Sequence, residues 1–259
     1  MNVAGSSLRE VTATRYVTPF REGGSMPGLV EADDLGMYVV KFRGAGQGVK
    51  VLVAEVVVGE LARRLGFRIP EIVLVHLDRE LARAEPDQEV QELLRASGGL
   101  NLGLDYLPGS FDYNPVVRDP GVELATRLLW FDALVLNVDR SWRNPNMLLW
   151  HREPWLIDHG AALYFHYSWS QDKPATKEFR FDPSDHAMLP NAGSLSEVDA
   201  ELTARITPEL LDEVLALVPD EWLEGDPAEL RQRYKDFFTY RLANRGWVDS
   251  LEAARAARV

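Results

Sequence analysis

The polar residues best suited to chemistry lie in one segment, residues 137–160, which directly follows a long apolar run. Asp139 is followed five residues later by Asn144, and Asp158 stands 14 residues beyond that asparagine. A carboxylate can position an acceptor hydroxyl, while an amide oxygen and a second carboxylate can hold Mg²⁺ against the phosphates of ATP. The order and spacing therefore predict phosphoryl transfer, with Asp139 as the catalytic carboxylate and with Asn144 and Asp158 as metal ligands.

Each of these residues also has a purely structural interpretation. Asp139 can form an ion pair with its neighbour Arg140, and Asn144 precedes a proline, which is typical of a turn. Asp158 lies close to a glycine and can belong to an ordinary turn as well. The combination of all three, in this order after a predicted buried helix, favours the catalytic interpretation.

A lysine within an apolar strand pattern gives a separate indication. Lys41 follows Met-Tyr-Val-Val, and burying an ammonium group is costly unless it is paired. Glu55, which lies 14 residues further on in a predicted helix, is the expected partner, and Glu60 is the competing one. A Lys–Glu pair orients the lysine toward the α- and β-phosphates of ATP. The alternative is an edge strand whose lysine reaches water.

Two further segments are candidates for nucleotide contacts. Gly23, Gly24 and Ser25 could let backbone N–H groups approach phosphates. A plain hairpin turn is the competing interpretation, because the order Gly-x-Gly-x-x-Gly is absent. Further on, a hinge is expected to bind adenine through its backbone at Asp105 and Leu107.

The elements that would position these residues change in character along the chain. The first hundred residues are mainly strand-like, with a turn-rich stretch at 21–36. The predicted strands, from β-branched and aromatic runs, cover residues 12–20, 37–42, 69–77 and 100–107. The predicted helices there cover residues 50–66, with apolar residues every four positions and a closing glycine, and residues 87–97. The valines of the first segment would also suit a strand.

The second part of the chain reads mainly as helix. Residues 121–137 are apolar on most sides, as expected of a helix buried in a lobe. Two short apolar runs follow and predict a tight hairpin, which would return Asp158 to the side of Asn144. A loop-rich region extends to about residue 195. Predicted helices then cover residues 207–218, with Thr207 as N-cap and Pro208 first, and 228–246, the last one.

Together these elements predict an α+β fold of the bilobal, protein-kinase-like kind. The strand-rich N-terminal lobe is expected over residues 1–107 and contains the glycine loop, Lys41 and the helix with Glu55. The helical C-terminal lobe is expected over residues 108–259 and contains the catalytic and metal loops.

Composition narrows the function classes. The formal net charge is −12, which disfavours a large nucleic-acid or anionic-membrane surface. The absence of cysteine excludes disulfides and thiolate metal sites. No apolar run is long enough for a membrane span, and the first residues do not resemble a secretory signal, so a cytoplasmic protein is expected. No Walker A, Rossmann or His-Glu-x-x-His pattern is present.

The chain resembles the HipA-like kinases and, more remotely, the phosphatidylinositol kinases. The matching residues are Asp139-Arg140-Ser-Trp-Arg-Asn144, Ile157-Asp158-His159-Gly160, Val40-Lys41-Phe42, Glu55 followed by Leu61-Ala-Arg-Arg-Leu-Gly66, and Ile69-Pro-Glu71. The resemblance implies that Glu55, rather than Glu60, stands opposite Lys41. It also implies a serine/threonine protein kinase in which Asp139 is catalytic and in which Asn144 and Asp158 bind magnesium. Arg140 is expected to stabilise the loop.

The expected cofactors are ATP and Mg²⁺, which Mn²⁺ can replace, and the expected partners are a protein substrate and a partner protein. Two alternatives stay open. The acidic C-terminal part would suit a cationic small-molecule acceptor, as in antibiotic kinases of related shape. A nucleotide-binding interaction module without transfer activity is the non-enzymatic alternative, favoured by the irregular glycine loop.

Overall fold

A computed structural model describes residues 7–20, 26–169 and 179–257. Its N-terminal part is a closed barrel in the order β1-β2-β3-β5-β4. The strands are β1 (Arg9–Pro19), β2 (Gly28–Ala32), β3 (Met37–Lys41), β4 (Ile72–Leu77) and β5 (Gly99–Asp105). All neighbouring pairs are antiparallel except β1 and β4, which are parallel and close the barrel. Alternating apolar residues such as Val30, Val40 and Val73 fill the barrel interior.

Strand β2 corrects the sequence-based prediction, which assigned residues 21–36 to turns. The segment Gly28–Ala32 pairs with both β1 and β3, and most of its residues are buried. Its flanking glycines, proline and aspartates dominated the sequence pattern. The strand forms because its neighbours on either side satisfy its backbone groups, which local composition does not reveal.

Helix α1 (Val49–Arg64) links the barrel to the helical part of the chain. Every residue from Val51 to Ala62 is buried, since α1 lies against β4 on one side and against a C-terminal helix on another. The helix ends just before Gly66, whose φ of 96° is readily adopted only by glycine. A second helix, α2 (Gln88–Ala96), begins after Asp87, whose carboxylate accepts from the N–H groups of residues 89 and 90.

The predicted hairpin is present. Strand β6 (Phe111–Asp112) pairs with β7 (Met147–Trp150), which pairs in turn with β8 (Glu153–Leu156). Positive φ angles at His151 and Arg152 give the two-residue turn the twist that hairpins favour.

Helix α3 (Val122–Val135) is the centre of the helical part and leads directly into the candidate catalytic loop. Arg241 donates to the carbonyls of Ala133 and Leu134 at the C-terminus of this helix, and also to the carbonyl of Phe179. This contact ties the last long helix of the fold to the start of the loop.

The remaining α-helices of the described ranges are α4 (Ser196–Arg205), α5 (Pro208–Ala216), α6 (Pro227–Ala243) and α7 (Gly246–Ala256), and short 3-10 helices cover Arg79–Ala84, Tyr164–Ser168, Leu189–Asn191 and Asp220–Trp222. Thr207 caps α5 as predicted, accepting from the N–H of Leu210 at 3.2 Å. The predicted helix over residues 228–246 is present as α6, which ends at Ala243, but the prediction that it is the last helix was wrong, because Gly246 begins α7. Helix α4 was also not predicted as a helix. The α+β prediction is confirmed, and in the described parts of the chain no helix combines the length and apolar character needed to cross a membrane.

Candidate active site

Lys41 stands at the end of β3 and points into the fold, with only 6% of its surface exposed. Its ammonium group donates to Glu55 Oε1 of α1 and, at 2.7 Å, to Asp158 Oδ1. Glu55 is fully buried, so each charge has a partner that offsets its loss of water. The competing partner, Glu60, accepts instead from Arg63 at 3.1 Å. The structure thus brings together three of the residues singled out from the sequence.

The electrostatics of this cluster keep it ionised. Burial alone would lower the pKa of Lys41, but the carboxylates of Glu55 and Asp158 outweigh burial and hold that pKa above its ordinary value. Burial alone would raise the pKa of Glu55, but Lys41 and the nearby His159 hold it well below its ordinary value. The pair is therefore charged across the physiological range, ready to face phosphate oxygens.

Gly160 lets the loop that carries Asp158 lie directly on α1. A Cβ atom at this position would stand 2.5 Å from Val51 Cγ1 and 3.2 Å from Glu55 Oε1. Asp158 itself has a left-handed φ of 54°, and its carboxylate is about half exposed. His159 is buried, with Nδ1 3.6 Å from Glu55 Oε2. The loop thereby presents a partly exposed carboxylate beside a buried lysine.

The loop after α3 holds Asp139 half-buried, with its carboxylate fixed by two amides. Asn144 Nδ2 donates to Asp139 Oδ2 at 3.0 Å, and Asn146 Nδ2 donates to the same oxygen at 2.9 Å. Asp139 Oδ1 has no hydrogen bond to the described residues, so it can accept from an incoming hydroxyl. The sequence analysis did not single out Asn146, although the Asn-Pro-Asn run that begins five residues after Asp139 could have indicated it.

Arg140 does not pair with Asp139. Its side chain is fully buried and donates to Asp132 Oδ2 at 2.6 Å. It also donates to the carbonyls of Pro145 and Asn146, at 2.9 and 2.6 Å. Arg140 therefore fastens both ends of the catalytic loop to α3 without reaching the reacting groups, which excludes the simple Asp139–Arg140 ion pair considered from the sequence.

His186 completes this network, and no local pattern in the sequence marks it as a partner of Asp132. Its Nε2 lies 3.0 Å from Asp132 Oδ2, while its Nδ1 accepts from the N–H of Met188 at 3.1 Å. Because Nδ1 accepts, the ring proton is on Nε2 and is donated to Asp132. Burial would raise the pKa of Asp132, but Arg140 and His186 outweigh burial and lower it. A buried carboxylate is thereby kept charged behind the loop.

The segment that carries His186 also holds the catalytic loop through its backbone. The N–H of Ala187 donates to the carbonyl of Arg140 at 3.1 Å, and the N–H of Trp142 donates to the carbonyl of Asp185 at 3.0 Å. These bonds form a short antiparallel bridge between Ser141 and His186. The loop is thus fixed along its length rather than only at its ends.

The two expected metal ligands, Asn144 and Asp158, lie at the same end of the hairpin formed by β7 and β8. The N–H of Ile157 donates to the carbonyl of Asn146 at 3.0 Å, just before the first pair of β7 and β8. Asn144 and Asp158 leave the hairpin at this end. Asn144 is exposed and donates to Asp139, while Asp158 accepts from Lys41, and no hydrogen bond joins Asn144 to Asp158.

The family model of the HipA-like kinases matches residues 14–243, most of the chain. The chain belongs to the HipA-like kinase family. It is therefore an ATP-dependent phosphotransferase, with ATP and a divalent metal ion as cofactors, and the resemblance stated from the sequence is confirmed. No curated protein sequence matches the chain.

Solved structures of kinases are similar to this HipA-like kinase. The Helicobacter pylori proinflammatory kinase CtkA has a TM-score of 0.52 at 13% identity, with 92% of this chain and 94% of that one covered. The Golgi casein kinase has a TM-score of 0.49 at 13% identity, with 98% and 74% covered. Its structure with Mn/ADP bound has a TM-score of 0.42 at 13% identity, with 98% and 76% covered. The likeness to CtkA shows a bilobal kinase-like α+β fold, as predicted.

The donor set of this HipA-like kinase fits a hard divalent cation. An amide oxygen from Asn144 and a carboxylate from Asp158 are oxygen ligands of the kind that Mg²⁺ prefers, with water and phosphate completing the shell. Within the residues that the structure describes, no cluster of three or more His, Asp or Glu side chains could hold a metal ion unaided. A metal that arrives with ATP is consistent with this sparse set.

The backbone of the expected hinge has free groups in suitable places. The N–H of Asp105 donates to the carbonyl of Glu71, and the N–H of Tyr106 donates to that of Met37, both at 2.9 Å. By contrast, the carbonyl of Asp105 and the N–H of Leu107 bond to nothing in the described ranges. The glycine-loop residues named from the sequence, Gly23, Gly24 and Ser25, lie outside the described residues.

Proposed function

We propose that this kinase transfers the γ-phosphate of ATP to a serine or threonine hydroxyl of a protein. The observation that carries the proposal is the position of the Lys41 ammonium between Glu55 and Asp158. A lysine held by a buried glutamate and touching a half-exposed aspartate is the arrangement that phosphoryl transfer uses to grip ATP phosphates. The separately fixed carboxylate of Asp139 supplies the group that phosphate binding alone would not need.

Each side chain then has a distinct role. Asp139 Oδ1 accepts the hydroxyl proton of the acceptor and aligns its oxygen, while Asn144 and Asn146 hold the carboxylate in place through Oδ2. Lys41 contacts the α- and β-phosphates, and Glu55 keeps it oriented. Asn144 and Asp158 hold the divalent ion, which would neutralise charge on the phosphates when bound.

Adenine binding is assigned to the hinge and the phosphates to the glycine loop. The carbonyl of Asp105 accepts from the exocyclic amine of adenine, and the N–H of Leu107 donates to a ring nitrogen. Backbone N–H groups of residues 23–25 cover the phosphates. In this proposal the N-terminal lobe comprises residues 1–107 and the C-terminal lobe residues 108–259, with the nucleotide between them.

A cationic small molecule is the second candidate acceptor, favoured by the net charge of −12. Long-range attraction toward an acidic protein would raise the encounter rate of such a molecule. A protein acceptor is preferred because the loop around Asp139 is open: Val138, Trp142 and Asn144 are all exposed. Small-molecule sites are concave and bury most of their ligand.

The acceptor class can be tested with γ-labelled ATP and Mg²⁺. The purified protein is incubated alone, with a cell lysate and with a panel of aminoglycosides, in parallel with an Asp158→Asn variant. Label on a protein band that is absent in the variant supports the proposal. Label on an aminoglycoside alone would favour the small-molecule acceptor, and tight Mg-ATP binding without any transfer would favour a silent nucleotide-binding module.

A further inference from the structure

A large aromatic side chain is exposed within the catalytic loop. Trp142 lies three residues after Asp139 and has 52% of its surface accessible. Its backbone is not free, since its N–H donates to the carbonyl of Asp185 and its neighbour Ser141 pairs with His186. The ring is therefore held at the surface by an ordered loop rather than left on a loose one. An exposed tryptophan on a fixed loop is typical of a recognition surface.

A cation lies on this ring. The guanidinium carbon of Arg143 is 4.0 Å from the centre of the Trp142 ring, a distance typical of cation–π stacking. Arg143 is exposed and makes no ion pair with any residue in the described ranges, in a protein with 40 acidic residues. The preceding arginine of the loop, Arg140, is fully buried and paired. The two arginines of the loop thus have opposite environments, one structural and one open.

Two tight turns keep this stack close to Asp139. The N–H of Ser141 donates to the carbonyl of Asp139 at 2.7 Å, and the N–H of Asn144 donates to the carbonyl of Ser141 at 3.1 Å. Asn144, next to Arg143, is bonded to the Asp139 carboxylate itself. On the other side of Asp139, Val138 is 57% exposed. Apolar surface and a positive charge that has no ion pair among the described residues therefore border the proposed catalytic carboxylate.

We propose that Val138, Trp142 and Arg143 form a recognition surface for the acceptor, and that the acceptor is a polypeptide segment with an acidic side chain near its phosphorylated hydroxyl. This inference rests on the proposed function and adds to it the chemical class of the acceptor. Arg143 pairs with the acidic side chain, while Trp142 and Val138 cover apolar atoms of the same segment.

Charge and shape favour this occupant over the others. The net charge of −12 acts at long range but is screened beyond about 8 Å at physiological salt, whereas Arg143 would act in direct contact. Asp185 contributes its carbonyl to Trp142, and no hydrogen bond or ion pair joins its carboxylate to Arg143. The exposed pair of Trp142 and Arg143 forms no pocket that could bury a small molecule, but it can contact an extended polypeptide along its length.

The test uses the full chain and a degenerate peptide library. Every peptide has a central serine or threonine, and in each sub-library one flanking position carries a single fixed residue. The wild type is expected to favour Asp or Glu over Lys by about fivefold at one flanking position, the size of an exposed ion pair. The charge-reversed variant Arg143→Glu is expected to favour Lys there instead. Trp142→Ala is expected to raise KM for peptides by about tenfold.

Matched control variants separate recognition from general damage. Arg95→Ala removes an exposed arginine from α2, and Phe111→Ala removes an exposed aromatic from β6, where 62% of the side chain is accessible. Both are expected to keep the selectivity of the wild type. Should Trp142→Ala fail to fold, Arg143→Glu still decides the question, because it changes only an exposed charge.

Several results would overturn the inference. The inference fails if the wild type shows no preference for acidic residues in the peptide, or if that preference survives Arg143→Glu. It also fails if a variant of this surface changes KM for ATP and leaves peptide selectivity intact. Labelling of lysate proteins but of no peptide would exclude recognition of a linear segment and leave the proposed function standing. Absence of label on every acceptor, including lysate proteins, would instead refute the proposed function itself.

Discussion

Replacing Arg140 by methionine should destabilise the protein strongly although the residue does not contact the reacting groups. Methionine fills much of the same space but leaves Asp132 buried without its cationic partner. Both side chains are fully inaccessible, and the pair lies at 2.6 Å. Removing one partner of a buried ion pair costs about 3–5 kcal/mol.

The loss of the carbonyl contacts adds to this cost. The carbonyls of Pro145 and Asn146 would each lose a charged donor, so the upper end of the range applies. A change of this size is a large fraction of the roughly 5–15 kcal/mol that keeps a typical protein folded. The melting temperature should fall by roughly 10 °C or more.

Thermal and urea unfolding followed by circular dichroism measure this effect, with Arg143→Met as the matched control in the same loop. The control should change the free energy of unfolding by under about 0.5 kcal/mol. In the double variant Arg140→Met/Asp132→Asn the two losses should be less than additive by at least about 2 kcal/mol, because the unpaired charge is gone. A melting temperature of Arg140→Met within about 2 °C of the wild type, or strictly additive losses, would refute the reasoning.

Three further predictions follow from contacts in the fold. Glu55→Gln should lower kcat/KM for ATP by about a hundredfold, because Lys41 loses its buried carboxylate partner. Glu60→Gln alters a glutamate that is paired with Arg63 and should leave kcat/KM within about threefold of the wild type. Equal effects of the two variants in a steady-state assay would contradict the assignment of Glu55. Burial, and then the nearby Lys50 charge, lower the pKa of His166 from 6.5 to about 3, so the unfolded chain binds the proton at a higher pH than the folded protein does. The free energy of unfolding should therefore fall by about 1.4 kcal/mol per pH unit as the pH drops below 6.5. His166→Phe should flatten that slope in urea titrations, and the exposed His151→Gln should not. Burial lowers the pKa of Arg241 to about 10, yet the residue stays charged at neutral pH. Arg241→Met should lower the free energy of unfolding by about 3 kcal/mol, because three carbonyls lose their donor. An unchanged melting temperature in thermal unfolding would refute the role of Arg241 at the end of α3.

The sequence could predict those parts of the site in which a buried polar group costs free energy unless it has a partner. A lysine in an apolar strand needs a carboxylate, and Lys41 meets Glu55 for that reason. The hairpin between Asn144 and Asp158 followed from two short apolar runs with a turn between them. In both cases the partners are close enough in sequence for local patterns to relate them.

The parts that the sequence could not predict depend on distant contacts. His186 lies 54 residues from Asp132 and has no local feature that marks it as a partner. Strand β2 exists because β1 and β3 flank it. Helix α4 buries few apolar residues, so its periodic signal is weak. Gly246 was interpreted as the end of a helix, whereas it begins the next one, since glycine alone does not distinguish an end from a new start.

The most direct test of the proposed mechanism compares the wild type with Asp139→Asn. Transfer of label from γ-labelled ATP and the Kd for Mg-ATP are measured on the same preparations. The substitution is expected to reduce transfer by about a thousandfold and to leave the Kd within about threefold, since Asp139 acts on the acceptor hydroxyl and not on the nucleotide. Full transfer activity in Asp139→Asn would contradict the assignment of Asp139 as the catalytic carboxylate.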